Sequence, residues 1–148
     1  MSEWPQQILD FAIAKEKAAQ EFYLQWSKRV DDQEVSQLLT ELASDERRHV
    51  ETLTTITPEA LISKGAALPD FKLSELITDV AVQPAMQLVD ALVIAIQREE
   101  KAISLYDRLR RSSTNAEPLF AALAEEERRH KHRLELKYAK LKRHSSEG

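Results

Sequence analysis

The residues best placed to do chemistry are two copies of one tetrapeptide, Glu46-Arg-Arg-His49 and Glu127-Arg-Arg-His130. On an α-helix, a spacing of three residues places the carboxylate and the imidazole on one face, about one turn apart. A single pair of this kind arises often by chance in a glutamate-rich helix. Two copies, each preceded by Leu-Ala at the same distance, indicate an internal repeat instead.

A second repeated stretch precedes each tetrapeptide. Residues 12–23 align with residues 95–106, and the matching positions are Glu16 with Glu99, Ala19 with Ala102, and Tyr23 with Tyr106. Each half of the chain therefore carries a glutamate, then a tyrosine, and then Glu-x-x-His.

Together the two halves supply four glutamates and two histidines, namely Glu16, Glu46, His49, Glu99, Glu127 and His130. Helix-surface charges or a satisfied core histidine would explain a single Glu-x-x-His pair. Six residues in matching registers favour a metal site, because carboxylates crowded in a core are costly unless cations neutralise them. One glutamate from each of two helices, with Glu-x-x-His from each of two others, is typical of di-iron and di-manganese carboxylate bundles.

Each residue of such a site has an expected role. Glu46 and Glu127 are the candidates to bridge two metal ions, because each lies beside a histidine ligand. Glu16 and Glu99 would then be terminal ligands, with one histidine for each ion. Oxygen and imidazole ligands without sulfur favour iron or manganese over a closed structural zinc site. We therefore predict two iron ions, with manganese or zinc as substitutes.

Tyr23 and Tyr106 lie seven residues after Glu16 and Glu99, two turns farther along the same helix face. Their hydroxyls could donate hydrogen bonds to the ligating carboxylates. The alternative is that both tyrosines are amphipathic core residues, and the spacing leaves the two interpretations open. Beyond the metal site, no side chain is required as a nucleophile.

Helices must bring these residues together. The first is expected from about Pro5 to Val30, since proline is favoured in a first helical turn. The second is expected to open with a capping box at Asp31 and Glu34, and Pro58 restarts or bends the chain at its end.

The stretch 66–83 has no long helical period, apart from a short helix expected over Leu73 to Ile77. At roughly 3.3 Å per residue, it is long enough to run the length of a bundle. The third helix is expected to begin near Pro84, and the fourth after a capping box over Thr114 to Glu117. The chain is therefore predicted to be all-α, a four-helix bundle with a long crossover between its second and third helices.

Composition limits the classes of protein. The chain has 148 residues, two glycines, no cysteine and a formal net charge of −4. Without cysteine no disulfide, iron–sulfur cluster or cysteine nucleophile can form, and the negative charge argues against a nucleic-acid partner. The longest apolar run, 91–96, is too short to span a bilayer, and no signal-peptide pattern is present. We expect one cytoplasmic domain over residues 1–148, with a disordered tail at 145–148 and no membrane association.

At these positions the chain resembles the rubrerythrin-like branch of the ferritin-like di-iron carboxylate superfamily. The matching pieces span nearly the whole chain and are Glu16-x-x-Ala19-x-x-Phe22-Tyr23, Glu46-x-x-His49, Glu99-x-x-Ala102-x-x-Leu105-Tyr106 and Glu127-x-x-His130. The resemblance implies a ferritin-like fold and a di-iron centre that reacts with hydrogen peroxide or dioxygen. It also implies a homodimer and a part in the response to oxidative stress.

The chain departs from the family pattern in two places. It has no cysteine and so no rubredoxin domain, and electrons would come from an external donor such as a rubredoxin or a reductase. Rubrerythrins typically carry a further glutamate three residues after the third-helix ligand, where this chain has Ala102. The resulting six-ligand set is closer to that of bacterioferritin.

Two functional hypotheses follow from the resemblance. The leading hypothesis is a di-iron oxidoreductase that reduces peroxide or dioxygen. The alternative is an iron-binding, ferroxidase-type protein without multiple-turnover peroxidase activity. A third interpretation, independent of the resemblance, is a bundle in which the metal is structural or has been lost. The sequence also leaves open whether one site draws its ligands from two chains that exchange helices.

Overall fold

The computed structural model describes residues 4–62, 70–76, 86–113 and 115–147, and at 144–147 it describes the backbone alone. These residues form four α-helices: α1 (Trp4–Arg29), α2 (Gln33–Thr55), α3 (Leu88–Ser112) and α4 (Glu117–Glu147). Two short 3-10 helices, Pro58–Leu61 and Leu73–Leu76, lie between α2 and α3. The described residues contain no strand, and the predicted all-α four-helix bundle with a long crossover is confirmed.

The boundaries of the first two helices follow local signals. α1 begins one residue before Pro5 and ends one residue before Val30, as expected. α2 is capped by Asp32, whose carboxylate accepts a hydrogen bond from the Val35 amide at 3.1 Å. The cap predicted at Asp31 is therefore wrong by one residue. The backbone of Asp32 is extended, which lets its side chain reach the free amides of the first turn.

The third helix begins later than the sequence suggested. Gln87 has extended backbone angles, φ −85° and ψ 163°, and α3 starts at Leu88. Pro84, where the helix was expected to begin, lies outside the described residues. The short helix predicted from Leu73 is present as a single 3-10 turn.

The start of α4 depends on Ser113. Its hydroxyl accepts a hydrogen bond from the Ala116 amide at 3.2 Å and donates one to the Ala60 carbonyl at 2.9 Å. Thr114, the predicted cap, lies outside the described residues. α4 continues to Glu147, so the disordered tail expected at 145–148 is helical over its first three residues. Between Pro118, in the first turn of α4, and Gly148 the sequence contains no proline or glycine that would interrupt the helix.

The crossover is attached to α3 through Arg108. The Arg108 guanidinium donates hydrogen bonds to the carbonyl of Phe71 and, at 3.2 Å, to that of Lys72. It also pairs with the Glu75 carboxylate at 2.9 Å. The Phe71 ring in turn packs against Trp4 at the start of α1, with a centroid distance of 5.4 Å. These contacts hold the segment 70–76 along one face of the bundle.

Two apolar clusters occupy opposite ends of the bundle, which is built from the hairpins α1–α2 and α3–α4. The first cluster includes Leu9, Leu53, Leu109 and Phe120, and the second includes Trp26, Leu39, Leu92 and Leu134. On every helix the predicted ligands fall between the residues of one cluster and those of the other. The polar level therefore lies mid-bundle, enclosed by apolar packing. No helix in the described part of the chain is long and apolar enough to cross a membrane.

Candidate metal centre

All six predicted ligands meet at this mid-bundle level, and each has at most 3% of its surface exposed. They form two groups of four, namely Glu16, Glu46, His49 and Glu127, and then Glu46, Glu99, Glu127 and His130. Within each group, one ligand atom per residue lies within 4.8 Å of the others. Glu46 and Glu127 belong to both groups, which is the arrangement that bridging carboxylates require. A single chain supplies the whole set, so no exchange of helices is needed to assemble it.

Each of the six side chains presents one buried atom that forms no well-aligned hydrogen bond, although His49 Nδ1 lies 2.8 Å from Glu127 Oε1 and His130 Nδ1 lies 3.0 Å from Glu46 Oε1. These atoms are Glu16 Oε2, Glu46 Oε1, His49 Nδ1, Glu99 Oε2, Glu127 Oε1 and His130 Nδ1. Leaving a buried polar atom unsatisfied costs about 1–3 kcal/mol. Coordination of cations would satisfy all six atoms at once, so the donor set fits a pair of metal ions with mixed oxygen and imidazole ligands.

The two histidines are oriented by acids that sequence reasoning missed. His49 Nε2 lies 3.0 Å from the Glu126 carboxylate on α4, and His130 Nε2 lies 3.0 Å from the Asp45 carboxylate on α2. An ionised carboxylate only accepts hydrogen bonds, so each Nε2 carries the proton and donates. The Nδ1 atoms, which face the cluster, are then left bare in the neutral rings and are able to bind metal.

A sequence signal for these acids exists. Asp45 and Glu126 each immediately precede the glutamate of a Glu-x-x-His motif. The repeat therefore includes one more position on its N-terminal side, and that position is acidic in both copies. On its own helix, Glu126 lies four positions before His130, on a face displaced from that of Glu127. Its partner is instead His49 of the other helix. A pattern that is read along one helix does not reveal a contact between two helices.

The tyrosines also reach across the bundle. The Tyr23 hydroxyl on α1 donates a hydrogen bond to Glu99 Oε1 on α3 at 2.6 Å, and Tyr106 on α3 donates to Glu16 on α1. Both tyrosines are fully buried. Each therefore orients a glutamate of the opposite half while filling space in an apolar cluster.

The electrostatics of the metal-free protein show how crowded the carboxylates are. Burial, together with the nearby Glu16 and Glu99 carboxylates, raises the pKa of Glu46 well above its usual range. Burial and the same neighbours likewise raise the pKa of Glu127. Burial opposes the ionisation of Glu16, but the close approach of Glu46 and of the His49 ring outweighs burial and lowers its pKa. The group thus holds protons in the positions that metal ions would take.

The histidines respond to the same negative charge. Burial alone would lower the pKa of His49, but contact with Glu16 outweighs burial and raises it. The pKa of His130 is raised in the same way, with burial opposed by contacts with Glu99 and Asp45. The metal-free site therefore favours bound protons at both carboxylates and imidazoles.

A four-helix bundle with a long crossover and a buried carboxylate–histidine cluster defines the class of ferritin-like diiron-carboxylate proteins. Residues 7–68, which include α1 and α2, match the family model described as Rubrerythrin. No curated protein matches the chain significantly.

Two solved structures are similar to the chain. A hypothetical protein from Pyrococcus furiosus has a TM-score of 0.72 and 21% sequence identity, over 91% of this chain and 88% of that one. A Thermotoga maritima protein, described as ferritin-like and diiron-carboxylate, has a TM-score of 0.68 and 26% identity, over 88% of this chain and 91% of that one. These comparisons and the family match confirm the resemblance to the rubrerythrin-like branch of the ferritin-like superfamily.

Proposed function

We propose that the chain is a di-iron carboxylate oxidoreductase that reduces hydrogen peroxide or dioxygen. One observation carries the proposal: two four-residue groups share Glu46 and Glu127, and each of the six residues presents an unpartnered buried ligand atom. Oxygen and imidazole donors suit iron in both of its common oxidation states. Iron bound there would supply electrons to the oxidant by cycling between ferrous and ferric states, each ion giving one electron.

The protein's own groups have defined tasks in this proposal. The carboxylates of Asp45 and Glu126 hold the histidine rings so that Nδ1 faces the centre. The hydroxyls of Tyr23 and Tyr106 hold the terminal glutamates. The apolar clusters above and below keep bulk water from the carboxylates, which strengthens their hold on cations.

The proposal includes partners. These 148 residues contain no cysteine that could hold a rubredoxin-type iron. In this proposal, a donor such as a rubredoxin or a reductase supplies the electrons that restore ferrous iron. The proposal also includes a homodimer, as the family resemblance implies, and a cytoplasmic location.

The test has two stages. Metal-free protein is first titrated anaerobically with ferrous iron, and we expect two tightly bound ions per chain. Peroxide is then added with a rubredoxin and its reductase, and we expect many peroxide molecules to be reduced per centre. Oxidation of only the bound iron, without further turnover, would instead support the ferroxidase-type alternative. Binding of one ion or none would remove the basis of both functions.

A further inference from the structure

A cavity of about 100 Å³ lies between α1 and α3 and reaches the candidate metal centre. Three of the centre's carboxylates line it, those of Glu46, Glu99 and Glu127. The small side chains of Ala19 and Ala102 leave the space open, and other apolar groups complete the wall. The unpartnered carboxylate oxygens of these three glutamates are nine-tenths or more buried, so the cavity ends at atoms that need a ligand.

The rim of this cavity is cationic. Lys15 on α1 and Arg98 and Lys101 on α3 line it, and none of the three forms an ion pair with any described residue. Arg98 is held in place by the Phe22 ring, with its guanidinium carbon 4.8 Å from the ring centroid. Three like charges are thus held together without a described acidic partner.

The opposite face of the centre differs in charge and in access. Between α2 and α4, Asp45 and Glu126 accept hydrogen bonds from the histidines, and Arg48 pairs with both acids. Those groups satisfy one another and cover the centre on that side. On the α1–α3 side, a cavity coincides with three cations that form no ion pair with a described residue.

We propose that the α1–α3 cavity is the entrance to the metal centre, and that its cationic rim attracts a small anionic co-substrate to the metal-loaded site. This inference rests on the proposed function, because the anion would meet the metal-loaded centre. When two divalent ions are bound, the four carboxylates of the centre are neutralised. The electrostatic potential that an approaching anion meets is then set by the positive charges of the rim. An apolar cavity of roughly 150 Å³ binds benzene, so this one has room for an anion of a few heavy atoms.

The experiment uses cobalt(II), which binds the same donor types without turnover, and formate as the probe anion. Full-length protein is loaded with cobalt, the bound ions are counted, and formate is titrated while the cobalt absorption spectrum is recorded. The rim variants are Lys15→Gln and Lys101→Gln. The matched control is Lys17→Gln, an exposed lysine on the same helix as Lys15 that does not line the cavity.

We expect each rim variant to weaken formate binding by about three- to tenfold at low salt, as loss of one charge at this range predicts. The control should bind formate as the wild type does, and added salt should weaken wild-type binding. The variant Ala102→Leu fills the cavity, and formate should no longer change the spectrum although two cobalt ions are bound.

Two results would overturn the inference while leaving the metal centre intact. One is that two cobalt ions bind and formate affinity is the same in the wild type, both rim variants and the control. The other is that formate does not bind the cobalt-loaded wild type. Binding of fewer than two cobalt ions would be a different failure, since it rejects the dinuclear centre itself and the entrance with it.

Discussion

Glu126, on α4, controls which nitrogen of the His49 ring on α2 is free to bind metal. The variant Glu126→Gln keeps the shape of the side chain, but its amide can donate to His49 Nε2 and favour the tautomer with a proton on Nδ1. We expect metal affinity to fall by about 10- to 100-fold, measured by competition with a chelator. The neighbouring Glu125 is 59% exposed, and Glu125→Gln should leave affinity unchanged. Equal affinities in the two variants would show that the contact between Glu126 and His49 does not tune the site.

Tyr23 provides a second residue-scale prediction. The variant Tyr23→Phe leaves a carboxylate oxygen of Glu99 buried without its donor. The free energy of unfolding of the metal-free protein should fall by about 1–3 kcal/mol, measured by chemical denaturation. Tyr138→Phe is the control, because Tyr138 is only partly buried and packs at the edge of a core cluster. Unchanged stability in Tyr23→Phe would mean that the hydroxyl contributes nothing to holding Glu99.

The shared carboxylates make a prediction about pH. Glu46, Glu127 and both histidines have raised pKa values in the fold, so their contribution to stability is present at low pH and is lost as pH rises. Glu16 and Asp45 have lowered pKa values, so their contribution to stability is present above the usual carboxyl pKa and is lost only as pH falls below it. It does not change between about pH 5 and pH 8. Metal-free protein should therefore become less stable between about pH 5 and pH 8.

The pH prediction is checked by thermal unfolding in the presence of a chelator. The double variant Glu46→Gln and Glu127→Gln removes both raised carboxyl groups while keeping their size. It should lose metal binding, show a flatter stability profile across this range and exceed the wild type in stability at the upper end. A wild-type profile that rises with pH would contradict the assigned directions of the pKa shifts.

At the scale of helices, the start of α2 depends on one aspartate of an adjacent pair. Asp32 accepts the hydrogen bond from the Val35 amide, whereas Asp31 is exposed. Asp32→Ala should lower the free energy of unfolding by about 0.5–2 kcal/mol, and Asp31→Ala should change it much less. Chemical denaturation of the two single variants compares them directly. A larger loss of stability in Asp31→Ala would show that Asp31, the residue expected from the sequence, is the cap of α2.

The same helix shows what the sequence can and cannot predict. The apolar stripe and the repeated Glu-x-x-His place Glu46 and His49 on the buried face, because helical periodicity is a local property. The exact cap depends on the backbone angles of two neighbouring aspartates, which no pattern distinguishes. The contact of Asp45 with His130 depends on how α2 and α4 are aligned in space. Pairing between helices depends on tertiary packing. The sequence shows that an acidic residue precedes Glu46, but it does not show which histidine that residue contacts.

In the whole molecule, the candidate centre connects the two halves of the repeat. Each of its hydrogen bonds between side chains joins one hairpin to the other: His49 with Glu126, His130 with Asp45, Tyr23 with Glu99, and Tyr106 with Glu16. The hairpins α1–α2 and α3–α4 otherwise pack mainly within themselves. Bound metal would therefore link the two hairpins through ligands from all four helices.

This arrangement predicts a large effect of metal on global stability. A ligand that binds only the folded state stabilises it by about 2.7 kcal/mol when its free concentration is 100 times its dissociation constant, so two ions give about 5 kcal/mol. For a chain of this size, that corresponds to a rise in Tm of roughly 10–20 °C. Calorimetry of the wild type with and without cobalt measures the shift, and the double variant Glu46→Gln and Glu127→Gln should show none. If two ions bind the wild type without raising its Tm, the unfolded chain must bind them equally well. Folding would then give the six residues no additional affinity for metal, and the description of the site as a preformed metal centre would be wrong.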